Sequence, residues 1–336
     1  MHQYDIFKFE DTEIPVLVDN LFSSKKWIEV LSREYDFEFY YFVIRKEADV
    51  VIPFAVVNNL KGRQIISLPF SDYIATDNIH RDDYFIFIDS LKKKYPDLPI
   101  TLKTTFDDTL GIGKITRRGY YHTINLVDEV NYTPAFERGL TKAEKAGLVV
   151  VHRNTITGLR QFYSLYSNLR IRKFNSIPQP FSFFRRIFDV FISAGLGEII
   201  NVLSDGKIIA SLIALKIGNT LYYKFGASDL DNLHSRPNNL LFNYLIKYAK
   251  DINCTTLDLG FSGSSPSYAG LRRFKEGMGG IKNEITYYRF DPANYDDKHE
   301  NNVSSLLRKY TKSLIESNAD YKNIERVSSM IYRNFA

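Results

Sequence analysis

The feature of this sequence that most constrains its fold is an order of predicted elements that occurs twice. In the second half, apolar and β-branched runs bounded by turn residues predict three strands, a helix and a fourth strand at 198–203, 207–217, 220–225, 237–251 and 255–259. In the first half, the same order is predicted at 37–45, 50–57, 64–68, 81–95 and 99–103. We therefore expect residues 35–105 and 195–261 to be tandem copies of one α/β unit, each with a mixed central sheet flanked by helices.

The length and composition suit two domains with packed cores. The chain has 336 residues, of which 44% are hydrophobic and 15% aromatic. A helix predicted from Pro134, with Thr133 as its N-cap, separates the two copies. We predict a first domain at 1–132, a second domain at 133–291, and a C-terminal helical extension at 292–336, where apolar residues recur at helical spacing.

Charge, cysteine content and hydropathy exclude several classes of protein. A net charge of +5 is too small by itself to indicate a nucleic-acid-binding protein, and the single Cys254 excludes a disulfide framework within the chain. The six histidines show no paired-ligand spacing, so we expect no metal site. Neither a signal segment nor an apolar run long enough to span a bilayer is evident, so we expect a cytoplasmic protein.

The candidate chemistry follows the last strand of the second copy. A loop rich in glycine and serine is predicted at 260–267. The basic turn predicted after this loop contains Arg272, Arg273, Phe274 and Lys275. Open α/β sheets bind ligands beyond the carboxyl ends of their strands, so such a turn is suited to an anionic ligand. Alternatively, these cations are solvated surface residues, because lysine and arginine are usually exposed. No nucleophile or acid–base constellation is evident in the sequence.

Five short motifs occur in a fixed order in the second copy. They read Pro237-Asn238-Asn239-Leu240-Leu241, Tyr248-Ala249-Lys250, Leu257-Asp258-Leu259-Gly260, Gly270-Leu271-Arg272-Arg273-Phe274-Lys275 and Gly279-Gly280. This series resembles the C-terminal half of the Fem-type aminoacyltransferases, which have tandem duplicated GNAT-like domains. Residues 68–73 and 142–147 also resemble the family, so the likeness covers roughly residues 65–290.

The resemblance assigns roles to residues of the third and fourth motifs. It implies that Lys275 stabilises the charge that develops on the transferred acyl carbonyl, and that Phe274 shapes the catalytic site. Asp258 is a weaker candidate for the general base, and a buried capping role is its alternative. The leaving hydroxyl or a phosphate of the substrates is a further candidate for the base.

Eight polar residues are candidate substrate-binding residues. They are Arg170, Arg172, Lys173, Asn238, Asn239, Asp258, Arg272 and Arg273. The three cations at 170–173 end a predicted helix, where they either bind phosphate or only interact favourably with the helix dipole. Lys142 and Lys145 are likewise either solvated or in contact with an RNA backbone.

The resemblance implies an N-acyltransferase that moves an aminoacyl group from aminoacyl-tRNA to an amine of an anionic cell-envelope (peptidoglycan) precursor. No cofactor is expected, and contact with a membrane surface would come only through the substrate. One alternative is an N-acetyltransferase that takes acetyl-CoA as donor and acts on an amino sugar in exopolysaccharide biosynthesis. Residues 236–241 lack the glycines of a pyrophosphate-binding loop, which disfavours this alternative. A non-catalytic envelope-assembly protein is the other alternative.

Overall fold

The computed structural model describes residues 3–11, 20–74, 79–105, 111–317 and 319–336. The chain divides into two compact units. Unit 1 comprises Met1–Gly119, Glu284–Lys309 and Ile331–Ala336, and unit 2 comprises Tyr120–Asn283 and Tyr310–Met330. Both units are discontinuous in sequence. The predicted domains at 1–132, 133–291 and 292–336 are continuous segments, and their boundaries remain predictions.

Strands and helices are interspersed along the chain. The first part of the chain contains Tyr4–Lys8 (β1), Lys25–Glu34 (α1), Glu38–Ile44 (β2), Val50–Asn59 (β3), Gly62–Ile66 (β4), Arg81–Lys94 (α2), Ile100–Thr104 (β5) and Lys114–Asn125 (β6). The next part contains Pro134–Lys145 (α3), Val149–His152 (β7), Ile156–Phe174 (α4), Phe181–Ile187 (α5), Gly197–Ser204 (β8), Lys207–Ile217 (β9), Thr220–Ser228 (β10), Pro237–Asp251 (α6), Thr256–Gly263 (β11), Ala269–Gly277 (α7) and Ile281–Phe290 (β12). Two further helices follow at Lys298–Glu316 (α8) and Tyr321–Ile331 (α9).

The two halves of the chain repeat one sheet topology, which confirms the predicted duplication. Strands β2, β3 and β4 pair antiparallel in succession, and β4 runs parallel to β5 after the crossover through α2. In the same way β8, β9 and β10 pair antiparallel, and β10 runs parallel to β11 after the crossover through α6. The strand order is β1-β2-β3-β4-β5 in unit 1 and β7-β8-β9-β10-β11 in unit 2, and β12 and β6, which each have residues in both units, lie next to β5 and β11 respectively. The predicted α/β fold with a mixed sheet in each copy is therefore correct.

Helix α6 anchors the core of unit 2. It begins at Pro237, whose missing N–H would have no partner in the first turn of a helix. Leu241, Leu245 and Ala249 recur at helical spacing and are buried. They pack in one cluster with side chains of the sheet, which include Ile200, Val202, Leu212, Leu221, Leu257 and Leu259. This packing, together with a hydrogen bond from Ser228 to Asn238, fixes the start of α6 beside the C-terminal end of β10.

Three parts of the second copy differ from the predictions. Strand β11 continues to Gly263, into residues that were predicted as a loop, and β6 is its hydrogen-bonded neighbour in the sheet. The predicted basic turn is the helix α7. Strands β6 and β7 were not predicted, because β6 is largely polar and exposed along its first half and β7 has only four residues.

The C-terminal region forms two helices, α8 and α9, where one extended helical segment was predicted. Two apolar side chains of α8, Leu306 and Tyr310, remain more than half exposed. The helices of the described residues include none that is both long enough and apolar enough to cross a bilayer.

Removal of a core side chain from α6 should weaken the fold. Leu245 is fully buried in the unit 2 cluster. We expect Leu245→Ala to lower the free energy of unfolding by about 2–5 kcal/mol through lost burial and a residual cavity. Urea unfolding would measure this difference. The matched control, Leu306→Ala at a position that is 65% exposed, should change stability by less than about 0.5 kcal/mol.

Candidate functional site

The centre of unit 2 is a gap between two parallel strands. Strands β10 and β11 pair only over Thr220–Tyr222 and Thr256–Asp258. Beyond this point the register of β10 against β9 shifts between Tyr223 and Phe225, as in a β-bulge. In β11, Gly260 takes a left-handed backbone conformation with φ of 71°. The two strands therefore separate toward their carboxyl ends, where open α/β sheets bind ligands.

Lys275 binds the backbone at the point where β11 leaves β10. The side chain extends from α7 and is only 1% exposed. Its Nζ donates hydrogen bonds to the carbonyl oxygens of Gly260 at 2.7 Å and Phe261 at 2.9 Å. These carbonyl groups satisfy a buried charge that would otherwise be costly. The predicted role of Lys275 at an acyl carbonyl stays a prediction, and its visible role is to join α7 to β11.

Asp258 is engaged in the same part of β11. Its carboxylate is 2% exposed, and Oδ1 accepts a hydrogen bond from the backbone N–H of Gly260 at 2.6 Å. This contact stabilises the left-handed conformation of Gly260. The structure thus displays the capping role that was the alternative for Asp258, and the general-base role remains a prediction.

A cavity of about 550 Å³ lies among α3, the start of α6 and α7. We call it the basic cavity, because its lining contains four cationic residues and no carboxylate. The cations are Arg138, Lys142, Arg236 and Arg273. All four are exposed, and among the described residues none of them forms an ion pair. Four unpaired positive charges at one concave surface attract an anionic ligand.

Two aromatic rings line the basic cavity beside these cations. The centroids of Phe136 on α3 and Phe274 on α7 are 5.7 Å apart. Phe274 also contacts Phe242 of α6, at 5.5 Å between ring centroids. Because Phe274 and Lys275 are neighbours on α7, they project from different faces of the helix. Of the two predicted catalytic residues, therefore, Phe274 lines the cavity and Lys275 lies behind it.

The two asparagines at the start of α6 hold neighbouring elements together. Asn239 donates a hydrogen bond through Nδ2 to the carbonyl oxygen of Phe136 at 3.1 Å, and it also lines the basic cavity. Asn238 accepts a hydrogen bond through Oδ1 from the Ser228 hydroxyl at 2.7 Å. Both side-chain amides thus position α6 against α3 and β10.

The remaining predicted substrate-binding residues lie away from the basic cavity. Arg172 makes a bidentate pair with Asp231, at 3.0 and 3.1 Å, beside a second cavity of about 540 Å³. Arg170 and Lys173 lie near the ring of Phe174. Arg272 donates hydrogen bonds to backbone carbonyl groups of 263 and 265. Of the predicted cations, the fold brings only Arg273 to the basic cavity.

Three cations of the basic cavity, Arg138, Lys142 and Arg236, were not among the site residues predicted from the sequence. Lys142 was considered only as a solvated residue or a contact to an RNA backbone. One signal for the first pair was present, because Arg138 and Lys142 are four residues apart and share one face of a well-delimited helix. Arg236 was considered only as the arginine that the glycine-free segment 236–241 keeps, and it reaches the cavity through its left-handed conformation before α6, with φ of 60°.

His122 of β6 is a buried imidazole beside this site. It is 0% exposed, and neither ring nitrogen has a hydrogen-bond partner among the described residues. Its Nε2 lies 3.7 Å from Oε1 of Glu276. Burial, together with the positive charges of Lys275, Lys282 and Arg272, lowers the pKa of His122 to about 4. The imidazole is therefore neutral at pH 7.

Comparisons with known proteins identify the class to which this arrangement belongs. Residues 135–276, from α3 to the end of α7, match the acetyltransferase (GNAT) domain family. The match covers the second copy of the α/β unit, and the chain is an acyltransferase. No curated protein sequence matches the chain significantly.

Solved structures extend the likeness beyond the GNAT domain. The crystal structure of FemX is similar with a TM-score of 0.61 and 15% identity, over 86% of this chain and 94% of FemX. The structure of L-PGS from Bacillus licheniformis has a TM-score of 0.49 and 14% identity, over 82% of this chain and 86% of that chain. The resemblance to Fem-type GNAT proteins that the motifs predicted is confirmed by the shared fold of FemX.

Replacement of Lys275 should reduce stability. Lys275→Met retains an aliphatic stem but leaves the buried carbonyl groups of Gly260 and Phe261 without this donor. We expect a loss of about 2–4 kcal/mol in the free energy of unfolding, measured in urea. Lys145→Met, which removes an exposed ammonium from α3, is the control and should stay within about 0.5 kcal/mol of wild type. Equal free energies of unfolding for the two variants would contradict the role of Lys275 in joining α7 to β11.

Acid should destabilise the protein in part through His122. Its pKa in the folded protein is about 4, below the ordinary value of 6.5, so between these pH values the unfolded chain binds more protons. Stability due to this group is therefore lost as the pH falls from 6.5 toward 4. We expect His122→Gln to reduce the pH dependence of urea unfolding over this range. The exposed-histidine variant His234→Gln should retain the dependence of wild type.

Proposed function

We propose that this acyltransferase moves an aminoacyl group from aminoacyl-tRNA to an amine of an anionic cell-envelope (peptidoglycan) precursor. The reaction takes place in the cytoplasm, without a bound cofactor, and the protein meets the membrane surface only through its acceptor. The donor binds in the basic cavity of unit 2. The predicted resemblance and the chemistry of this cavity support the proposal.

The observation that carries the proposal is the set of unpaired cations at the basic cavity. Arg138, Lys142, Arg236 and Arg273 are exposed and line one concavity without a neighbouring carboxylate. An RNA backbone is a polyanion whose phosphates bind such cations. Single-stranded RNA ends also stack on aromatic rings, and the half-buried Phe274 lines the same cavity.

The chemistry demanded of the protein is modest, because an aminoacyl ester is already activated. Attack by an amine on the ester carbonyl forms a tetrahedral oxyanion. Its collapse forms the amide, breaks the ester C–O bond and releases the tRNA ribose hydroxyl, whose oxygen takes up the proton lost by the amine. The protein therefore has to position the ester and stabilise the charge of the oxyanion. In our proposal Phe274 contacts the transferred acyl group. Lys275 acts as a positioning residue that holds the carbonyl groups of Gly260 and Phe261, and it places a fixed positive charge behind the cavity. Its variants therefore need a stability measurement beside every rate.

The start of α6 is poorly suited to the pyrophosphate of an acyl-CoA. A pyrophosphate loop needs glycines that let backbone N–H groups approach the phosphates. Here Pro237 has no N–H, and the N–H of Asn239 is already bonded to the carbonyl oxygen of Arg236 at 3.1 Å. In unit 1 the equivalent helix start is capped by Asp83, whose carboxylate accepts the N–H of His80 at 2.9 Å. A carboxylate there would repel pyrophosphate.

One observation favours a second candidate function. The domain family that matches residues 135–276 is described as an acetyltransferase family. An N-acetyltransferase that takes acetyl-CoA and modifies an amino sugar in exopolysaccharide biosynthesis is therefore the alternative. In that case the cations of the basic cavity would bind the phosphates of coenzyme A.

Transfer assays with both donors separate these functions. We expect labelled aminoacyl-tRNA to support transfer to an amine acceptor and acetyl-CoA to support none. Arg273→Met should raise KM for the charged tRNA about 10-fold, with a shallower dependence on salt, because a phosphate contact is lost. Its melting temperature should match wild type.

The control for this assay is Lys309→Met, which removes an exposed cation of α8 and should leave KM unchanged. Saturable binding of acetyl-CoA, with acetyl transfer to an amino sugar and none from charged tRNA, would replace the proposed function with the alternative.

A further inference from the structure

Gly270 is a glycine for which its own helix offers no conformational reason. It is the second residue of α7, and it does not have the positive φ that favours glycine elsewhere in the chain. In the interior of a helix, glycine is less stable than alanine by about 0.5–1 kcal/mol, because the glycine backbone loses more conformational freedom on folding. Helix propensity would thus favour alanine or another larger residue at this position.

Packing within the protein gives no reason for this glycine either. Apart from its chain neighbours and the backbone of its own helix, a methyl group at Gly270 would meet no atom of the described residues within 4 Å. The other two glycines that line the basic cavity differ from it. A methyl group at Gly139 would collide with the amide of Asn239, and one at Gly277 would lie 3.2 Å from Oγ1 of Thr133. Helix contacts therefore account for Gly139 and Gly277 but leave Gly270 unexplained.

The open space at Gly270 adjoins the basic cavity. Gly270 and Arg273 are three residues apart, so they share one face of α7, and both line the cavity. Arg236 lines it from the start of α6. Neither guanidinium group forms an ion pair among the residues that the structure covers. A ligand group in contact with the backbone of Gly270 would thus occupy a cavity that two unpaired guanidinium groups line. Phosphate is a suitable group, because arginine forms charge-assisted, often bidentate hydrogen bonds with it.

We propose that Gly270 is a specificity-determining residue whose missing side chain leaves room for a phosphate group of the acyl donor against α7. The inference rests on the proposed donor site. It identifies Gly270 as the residue that sets how much space that site leaves for the phosphate. A methyl group at this position would project into open space beside the cavity, and we expect a longer side chain to take up room that the phosphate needs. The phosphodiester of RNA and the pyrophosphate of coenzyme A share this chemistry, and the test separates them.

The test is a size series, Gly270→Ala and Gly270→Leu. Both variants should melt at or above the wild-type temperature, since both residues are better helix formers. Calorimetric titration would use three probes: an RNA hairpin with a single-stranded 3′ end, coenzyme A, and inorganic pyrophosphate. We expect Gly270→Leu to weaken binding of the RNA hairpin about 10-fold, and Gly270→Ala to weaken it less. Ser305→Leu, at an exposed position of α8, should bind as wild type does.

The outcomes distinguish this inference from the proposed function. Weakened binding of coenzyme A alone supports the role of Gly270 and overturns the RNA donor. Unchanged binding of every probe by a normally folded Gly270→Leu overturns the inference, whereas continued transfer from charged tRNA keeps the proposed function. If the wild-type protein binds none of the three probes, the phosphate site itself is absent and both fail.

Discussion

The buried ammonium of Lys275 is the interaction on which the arrangement of the candidate site depends. It ties α7 to β11 through two backbone carbonyl groups, at the place where β11 turns away from β10. A charge inside a protein is stable only while its partners surround it, so this contact fixes the rotation of α7 about its axis. With Lys275 directed inward, Phe274 and Arg273 face the basic cavity. The wall of that cavity is therefore set by a residue that does not line it.

The two copies of the α/β unit share a topology but differ where the crossover helix begins. At the start of α2, the buried carboxylate of Asp83 caps the helix and lies beside the ammonium of Lys46. At the start of α6, Arg236 and Pro237 stand instead, and the cavity lining contains no carboxylate. The first copy thus neutralises this position with its own side chains. The second leaves it positive and open, which explains why the candidate site lies in unit 2.

Much of the framework could be predicted from sequence, because periodic apolar residues and turn residues mark it clearly. Strand β9 and helix α6 have the predicted bounds, since glycine turns delimit the strand and Pro237 starts the helix. Strand β6 escaped prediction because its first half is exposed and shows no apolar alternation. The burial of Lys275 could not be predicted, since lysine is rarely buried and its partners are backbone groups, which leave no mark on residue types. The cations of the basic cavity come from α3, from α7 and from the residue before α6, so only the fold brings them together.

The interrupted sequence of unit 1 has a consequence for the nascent chain. Strand β5 lies beside β12 in the finished sheet, yet the residues of β12 that pair with it, Thr286–Phe290, follow the long segment Tyr120–Asn283 of unit 2. While that segment is being synthesised, one side of β5 presents backbone N–H and C=O groups that lack this strand partner. Such an edge pairs readily with other chains. The first copy to be translated is thus the last to be completed, and during that interval its open edge is exposed to misassembly.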